Sequence, residues 1–122
     1  MSKINSFEDL IVWQKAITLS VEVYKASAKF PKEEIFSLTN QIRRASNSVS
    51  LNIAEGSVRT TKMFINQLII ANGSAREVLS ASILANKLGY LTDQELKHLR
   101  EFISEITKIL NSLISSLERK IK

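Results

Sequence analysis

Apolar residues recur along most of the chain at intervals of three and four, the spacing that places side chains on one face of an α-helix. Residues that mark turns are scarce, because the 122 residues include only three glycines and one proline. A β-rich protein with many tight turns needs more of both. The pattern therefore predicts an all-α protein.

Start and stop signals divide this pattern into helices. The first helix is predicted over about residues 7–28, with Ser6 as its N-cap. It ends before Pro31, because the residue preceding a proline disfavours helical geometry. The second helix is predicted over about residues 37–57.

The third and fourth helices have clearer boundaries. The third is predicted over about residues 61–88, with Thr60 as its cap and Gly89 in the left-handed conformation that closes a helix. The fourth begins with a capping box between Thr92 and Glu95. Short connections between long helices favour antiparallel neighbours. We therefore expect residues 1–122 to form one domain, an antiparallel up-down-up-down four-helix bundle.

The first helix carries two apolar stripes on opposite sides. One is formed by Leu10, Trp13, Ile17, Val21, Tyr24 and Ala28, and the other by Val12, Ala16, Leu19 and Val23. We expect the stripe with Trp13 and Tyr24 to face the core, which leaves the other stripe exposed. The fourth helix has a wide apolar seam: Leu96, Leu99, Ile103, Ile106, Leu110, Leu113 and Leu117. Large exposed apolar patches usually mark interfaces, so the sequence predicts self-association.

Polar residues on the second helix are aligned on one side, next to an apolar stripe of Leu38, Ile42, Ala45, Val49 and Ile53. Partly buried polar groups need partners. We therefore expect a structural hydrogen-bonded network with the third helix. Its predicted members are Gln41, Arg44, Asn52, Glu55, Ser74 and Glu77. A ligand or nucleic-acid site, or a catalytic site, is the alternative use of the same residues.

The net charge of +5 and the pI of about 9.6 favour polyanionic partners. Residues 1–61 carry eight Lys and Arg against six Asp and Glu, and residues 62–122 carry nine against six. No basic tail stands out, so a nucleic acid would bind the folded surface. The candidate contacts are Lys15, Lys25, Lys29, Arg43, Arg59, Lys62 and Lys108. Arg43 is the strongest, because it lies on a different side of its helix from the polar band.

Two further features suit RNA. Free backbone N–H groups at the start of the third helix, with the hydroxyls of Thr60 and Thr61 and the flanking Arg59 and Lys62, offer a phosphate site, although simple capping explains the same residues. Tyr90 follows Gly89 in a turn and is expected to be free to stack on a base.

Several classes of function have no support. Without cysteine there is no disulfide, no thiolate metal site and no cysteine nucleophile. His98 has no metal-binding partner at a suitable spacing. We expect no catalytic residue, metal or cofactor, and therefore no enzyme. The N-terminus lacks an apolar leader and no apolar run approaches the roughly 20 residues that span a bilayer, which predicts a cytoplasmic protein.

Short segments distributed over nearly the whole chain resemble one bacterial family, the 23S rRNA intervening sequence proteins, also called S23. The resemblance is carried by SFEDLIVWQKA, FPKEE, LTNQIRRASNSVSLNIAEGSVR, IANGSAREV and KLGYLT. The family elements QxxRA, NIAEG and GSxxE fall on Gln41, Arg44 and Ala45, on residues 52–56, and on Gly73, Ser74 and Glu77. Residues 47–51 are more polar than is usual in the family.

This resemblance implies a four-helix bundle that assembles into a ring-like homopentamer and binds nucleic acid, RNA more than DNA, such as structured rRNA. The family is also similar to the accessory protein of diversity-generating retroelements, a pentamer that works with a reverse transcriptase. An oligomeric scaffold for a protein partner is therefore the alternative function.

Overall fold

The computed structural model describes residues 6–121, and these form four α-helices and no strand. The helices are α1 Ile11–Ser27, α2 Leu38–Ser57, α3 Thr61–Lys87 and α4 Asp93–Lys120. Short 3₁₀ helices, Phe7–Asp9 and Lys32–Glu34, precede α1 and α2. The all-α prediction is confirmed.

The predicted helix ends are present where local chemistry signals them. The Thr60 hydroxyl accepts a hydrogen bond from the N–H of Met63 at 3.3 Å. At the start of α4, Thr92 Oγ1 accepts from the N–H of Glu95 at 3.1 Å, and Glu95 Oε1 accepts from the N–H of Thr92 at 2.8 Å. Gly89 ends α3 with φ of +83°. Each device satisfies backbone groups that a helix end leaves unpaired.

The start of the first helix differs from the prediction. Ser6 caps the 3₁₀ helix Phe7–Asp9 by accepting from the N–H of Glu8, and does not cap α1. Leu10 then adopts an extended conformation with φ of −77° and ψ of 123°, so α1 begins only at Ile11. The apolar spacing continues across Leu10, which is why the pattern alone does not reveal this break.

One hydrophobic core is lined by all four helices. The predicted stripe of α2 is buried throughout, and so are five of the seven predicted seam residues of α4, whereas Leu96 and Leu113 are half-buried. For α1 the expected orientation is wrong. The smaller stripe, Val12, Ala16, Leu19 and Val23, faces the core. Ile17, Val21, Tyr24 and Ala28 of the other stripe are exposed, whereas Leu10 and Trp13 are half-buried against the edge of the core. Small side chains in the inward stripe allow closer helix packing than large amphipathic rings would.

Hydrogen bonds and ion pairs join neighbouring helices in a regular order. Arg43 on α2 bonds Ser27 on α1, and Asn47 bonds Tyr24, so the residue numbers fall along one helix as they rise along the other. The other helix pairs show the same reversed order: Asn52 with Gln67, Ser48 with Ser74, Asn72 with Asn111, Asn86 with Asp93, Lys15 with Glu105, and Lys29 with Glu95.

Buried serines explain part of the polar composition of α2 and α3. Ser46 donates to the carbonyl of Arg43 at 2.9 Å, and Ser82 donates to that of Val78 at 2.7 Å. Because each hydroxyl finds its acceptor within its own helix, its burial leaves no unpaired donor. These serines are small, which lets the helices approach closely.

By length and composition alone, α3 is long and apolar enough to cross a membrane, contrary to the expectation that no segment would be. However, 44% of its most apolar stretch is buried in the protein. Core helices meet the same criterion, so this property is weak support for a membrane span.

Candidate nucleic-acid interface

A chain of hydrogen bonds crosses from α2 to α3 where the polar band was predicted. Gln67 Nε2 donates to Asn52 Oδ1 at 2.6 Å, and Asn52 Nδ2 donates to the carbonyl and the hydroxyl of Ser48 at 2.8 and 3.0 Å. Ser74 Oγ donates to Ser48 Oγ at 2.9 Å. Asn52 and Ser74 from the predicted network are thus brought together, with Ser48 and Gln67 as their partners.

The other predicted members of the network lie outside this chain. Gln41, Arg44, Glu55 and Glu77 are exposed, and within residues 6–121 their side chains make no hydrogen bond or ion pair. Three of them, Gln41, Arg44 and Glu77, line a cleft of about 380 Å³ between α2 and α3. A second cleft of about 390 Å³ contains Arg44 and Glu55. One guanidinium beside two carboxylates is a poor environment for a phosphate backbone.

Arg43, expected to be the best contact, is occupied within the chain. Its Nε donates to Ser27 Oγ at 2.8 Å, and its guanidinium stacks on the ring of Tyr24 with 4.6 Å to the centroid. The helical wheel shows correctly that Arg43 points away from the α2 polar band. It does not show that α1 lies on that side.

Three of the candidate lysines are paired with carboxylates. Lys15 lies 3.1 Å from Glu105 of α4, and Lys29 bonds both oxygens of Glu95. Lys25 lies 3.7 Å from Glu22 on its own helix, and Glu22 also contacts His98. Hydrogen bonds from Lys29 and from the Thr92 backbone hold the pKa of Glu95 below its usual value. The α1 and α4 surface is therefore largely compensated in charge.

The last candidate lysine, Lys108, and the candidate stacking residue, Tyr90, do not extend a basic surface. Lys108 borders a mostly apolar cleft of about 510 Å³ between α1 and α4. Tyr90 is not free to stack on a base, because its hydroxyl donates to Glu34 Oε2 at 3.0 Å and its ring packs on Phe30. The hydrogen bond to Glu34 raises the pKa of Tyr90.

Arg59 and Lys62 remain exposed at the turn between α2 and α3. Within residues 6–121 neither side chain forms an ion pair. Thr60 between them is used as the cap of α3. These two residues are the candidate contacts that the fold leaves available as a pair.

The order of contacts between α3 and α4 places two further cations at the same end of the molecule as this turn. Asn72 of α3 bonds Asn111 of α4 at 2.8 Å. Lys62 lies ten residues before Asn72, and Ile121 lies ten residues after Asn111, so these two positions are at the same level of the helix pair. Arg119 and Lys120, exposed in the last turn of α4, therefore belong to the same end of the molecule. We call Arg59, Lys62, Arg119 and Lys120 the basic end.

Sequence reasoning missed the two α4 residues of the basic end, because the C-terminal segment is too short to look like a basic tail. The signal that identifies them is the pairing of α3 with α4, which depends on tertiary structure. Within residues 6–121 no group of three metal-ligating side chains converges.

The sequence profile of the family described as 23S rRNA-intervening sequence protein matches residues 8–112, most of the chain. The chain belongs to this family. The match ends before Arg119 and Lys120, so half of the basic end lies beyond it.

A solved structure supports the same family assignment. It is a protein of unknown function from the S23 ribosomal protein family of Bacteroides thetaiotaomicron, with a crystal structure at 1.70 Å. The two chains are 26% identical and superpose with a TM-score of 0.78, covering 85% of this chain and 98% of the other. Neither description names an enzymatic activity. No curated protein matches the chain.

Proposed function

We propose that this member of the family is a non-enzymatic, homo-oligomeric protein whose basic end binds the phosphate backbone of structured RNA such as rRNA. The observation that carries the proposal is that Arg59 and Lys62 are exposed and have no carboxylate partner within residues 6–121. Arg119 and Lys120 lie at the same end of the molecule, next to Glu118, which is also exposed. The candidate lysines in and just after α1, by contrast, are already paired with carboxylates. Exposed Lys and Arg neutralise phosphates and release counterions, which supplies affinity without reading sequence.

We also infer an up-down-up-down bundle that assembles into a homopentameric ring. The reversed order of bonded residues between neighbouring helices supports the bundle. The outward apolar stripe of α1 supports assembly, because water is a poor environment for it. In a ring of five copies the charge excess rises to about +25, and each copy contributes one basic end.

The test is a titration of the purified oligomer into a fluorescently labelled rRNA hairpin, followed by anisotropy at several salt concentrations. Lys62→Glu and Arg59→Glu are expected to weaken binding and to make its salt dependence shallower, by about one unit of slope for each phosphate that is no longer neutralised. Lys32→Glu is the matched control. It changes the charge equally at an exposed position in the connection between α1 and α2.

Two results would contradict the proposal. One is binding at physiological salt that Lys62→Glu and Lys32→Glu weaken equally, since charge alone would then explain the affinity. The other is no binding to the hairpin at all. A matched DNA duplex run in parallel measures whether the preference is for RNA.

A second candidate function is a scaffold that binds a protein such as a reverse transcriptase. It is favoured by Phe36, a residue that is 93% exposed in the connection between α1 and α2, beside the exposed Ile35. Phe36→Ser should then weaken binding of a purified reverse transcriptase encoded beside the gene, measured by calorimetry. Unchanged affinity would remove this support.

A further inference from the structure

Part of the outward stripe of α1 is a ridge of large, exposed apolar side chains. Ile17, Val21 and Tyr24 share one side of the helix, and Val21 is 46% exposed. Tyr24 is fixed by Asn47 and by the stacked Arg43, so the ridge is rigid at its C-terminal end. A rigid apolar ridge is suited to packing against another surface.

The outward face of α3 has the opposite shape. Ile70, Gly73 and Leu84 lie within about 80° of one another around the helix axis, and both large side chains are about half exposed. A Cβ added at Gly73 would meet nothing within 4 Å. Glycine is less favourable than alanine inside a helix, and no contact within residues 6–121 requires its small size. The face therefore has a notch at Gly73, bordered by Ile70 on one side and by Glu77, one turn later, on the other.

We propose that the α1 ridge of one copy docks in the Gly73 notch of α3 on a second copy. The occupant is a second copy because one chain carries both halves of the contact, and two unlike surfaces join copies head to tail. This inference rests on the self-association part of the proposed function and is independent of RNA binding.

Charge gives the register of the contact. In the proposed bundle α1 and α3 run in the same direction, and rotation about an axis along the helices preserves it. Lys25 lies one turn after Val21, and Glu77 lies one turn after Gly73. With Val21 in the notch, Lys25 of one copy therefore meets Glu77 of the next. Both side chains are exposed, and the Lys25 side chain is 72% accessible despite its contact with Glu22.

The absence of cysteine makes the contact directly testable. Val21→Cys and Gly73→Cys are prepared singly and together in the full chain and oxidised. The double variant is expected to give a ladder of covalent oligomers on a non-reducing gel. A mixture of the two single variants should give one covalent dimer, and each single variant alone should give none. Lys97→Cys with Gly73→Cys is the control, because Lys97 is exposed on α4 outside both surfaces.

Three outcomes would overturn the proposal: Val21→Cys cross-linking to itself, no 21-to-73 cross-link in a species that light scattering shows to be oligomeric, and a monomer at every concentration. The first two outcomes would not contradict self-association or RNA binding. A failed RNA titration, in turn, would not contradict the cross-link.

A charge exchange tests the register without a change at the notch. Lys25→Glu and Glu77→Lys, each alone, should raise the protein concentration needed for assembly about tenfold, and the two together should restore it. Additive effects would show that the two residues do not meet and would overturn the proposed register.

Discussion

Replacing Gly56 by alanine tests a close approach of α2 to α3. A Cβ at Gly56 would lie 2.8 Å from the Cβ of Gln67 and 2.8 Å from Cδ1 of Phe64. Attractive carbon contacts occur at about 3.5–4.0 Å, so both distances are strongly repulsive. The Gln67 Cβ is attached to the α3 backbone, so it cannot turn aside as a flexible side chain can. The helices must separate locally, at a cost of about 1–3 kcal/mol.

Gly73→Ala is the matched control, because the same substitution in α3 meets no neighbour within 4 Å. Alanine improves helix propensity by about 1 kcal/mol in a helix interior, such as Gly73, and by less at Gly56 in the last turn of α2. The smaller gain and the packing cost act in the same direction, so Gly56→Ala should be less stable than Gly73→Ala by at least the packing cost of about 1–3 kcal/mol. Urea unfolding followed by circular dichroism measures both, at protein concentrations below those at which light scattering detects assembly. Equal stabilities, or a more stable Gly56→Ala, would refute the close approach.

Three further predictions concern side chains within the chain. Asn52→Ala leaves the amide of Gln67 without its acceptor and should lower the free energy of unfolding by about 1–3 kcal/mol, and an unchanged value would contradict this contact. Leu110→Ala empties a fully buried position of α4 and should cost about 2–5 kcal/mol in the same assay; a loss below about 1 kcal/mol would contradict its burial. The lowered pKa of Glu95 implies stability that is present above pH 4.5 and lost as the pH falls through the folded-state pKa. Glu95→Gln should therefore lower the thermal midpoint more at pH 7 than at pH 3, and an equal loss at both pH values would exclude the carboxylate of Glu95 as the cause.

Features set by neighbouring residues could be predicted from the sequence. The capping box of Thr92, the cap of Thr60 and the left-handed Gly89 each depend on chemistry within a few residues. The buried stripe of α2 follows from periodicity alone. These are the parts of the fold for which no knowledge of the neighbouring helix is needed.

Features that depend on neighbouring helices could not be predicted in the same way. The α1 pattern contains two apolar stripes, and only packing against α2 and α4 decides that the one with Val12 is buried. Arg43 and Tyr90 were expected to be free because the sequence does not reveal Ser27 or Glu34 beside them. Half of the basic end could be predicted, because Arg59 and Lys62 are close in sequence. Arg119 and Lys120 lie at the same end only as a result of the fold.

Some serines of α2 and α3 bond within their own helix, whereas the hydrogen bonds through Asn52 and Ser48 cross between the two helices. This difference affects how the pair avoids misalignment. Ser46 and Ser82 would keep their intrahelical acceptors if one helix slid past the other by a turn. The bonds of Asn52 to Gln67 and of Ser48 to Ser74 would all break, each leaving polar groups unpaired at about 1–3 kcal/mol per buried group. This small polar cluster thus penalises slipped alignments in a way that the serines bonded within one helix cannot, and it widens the energy gap between the native alignment of this helix pair and its competitors.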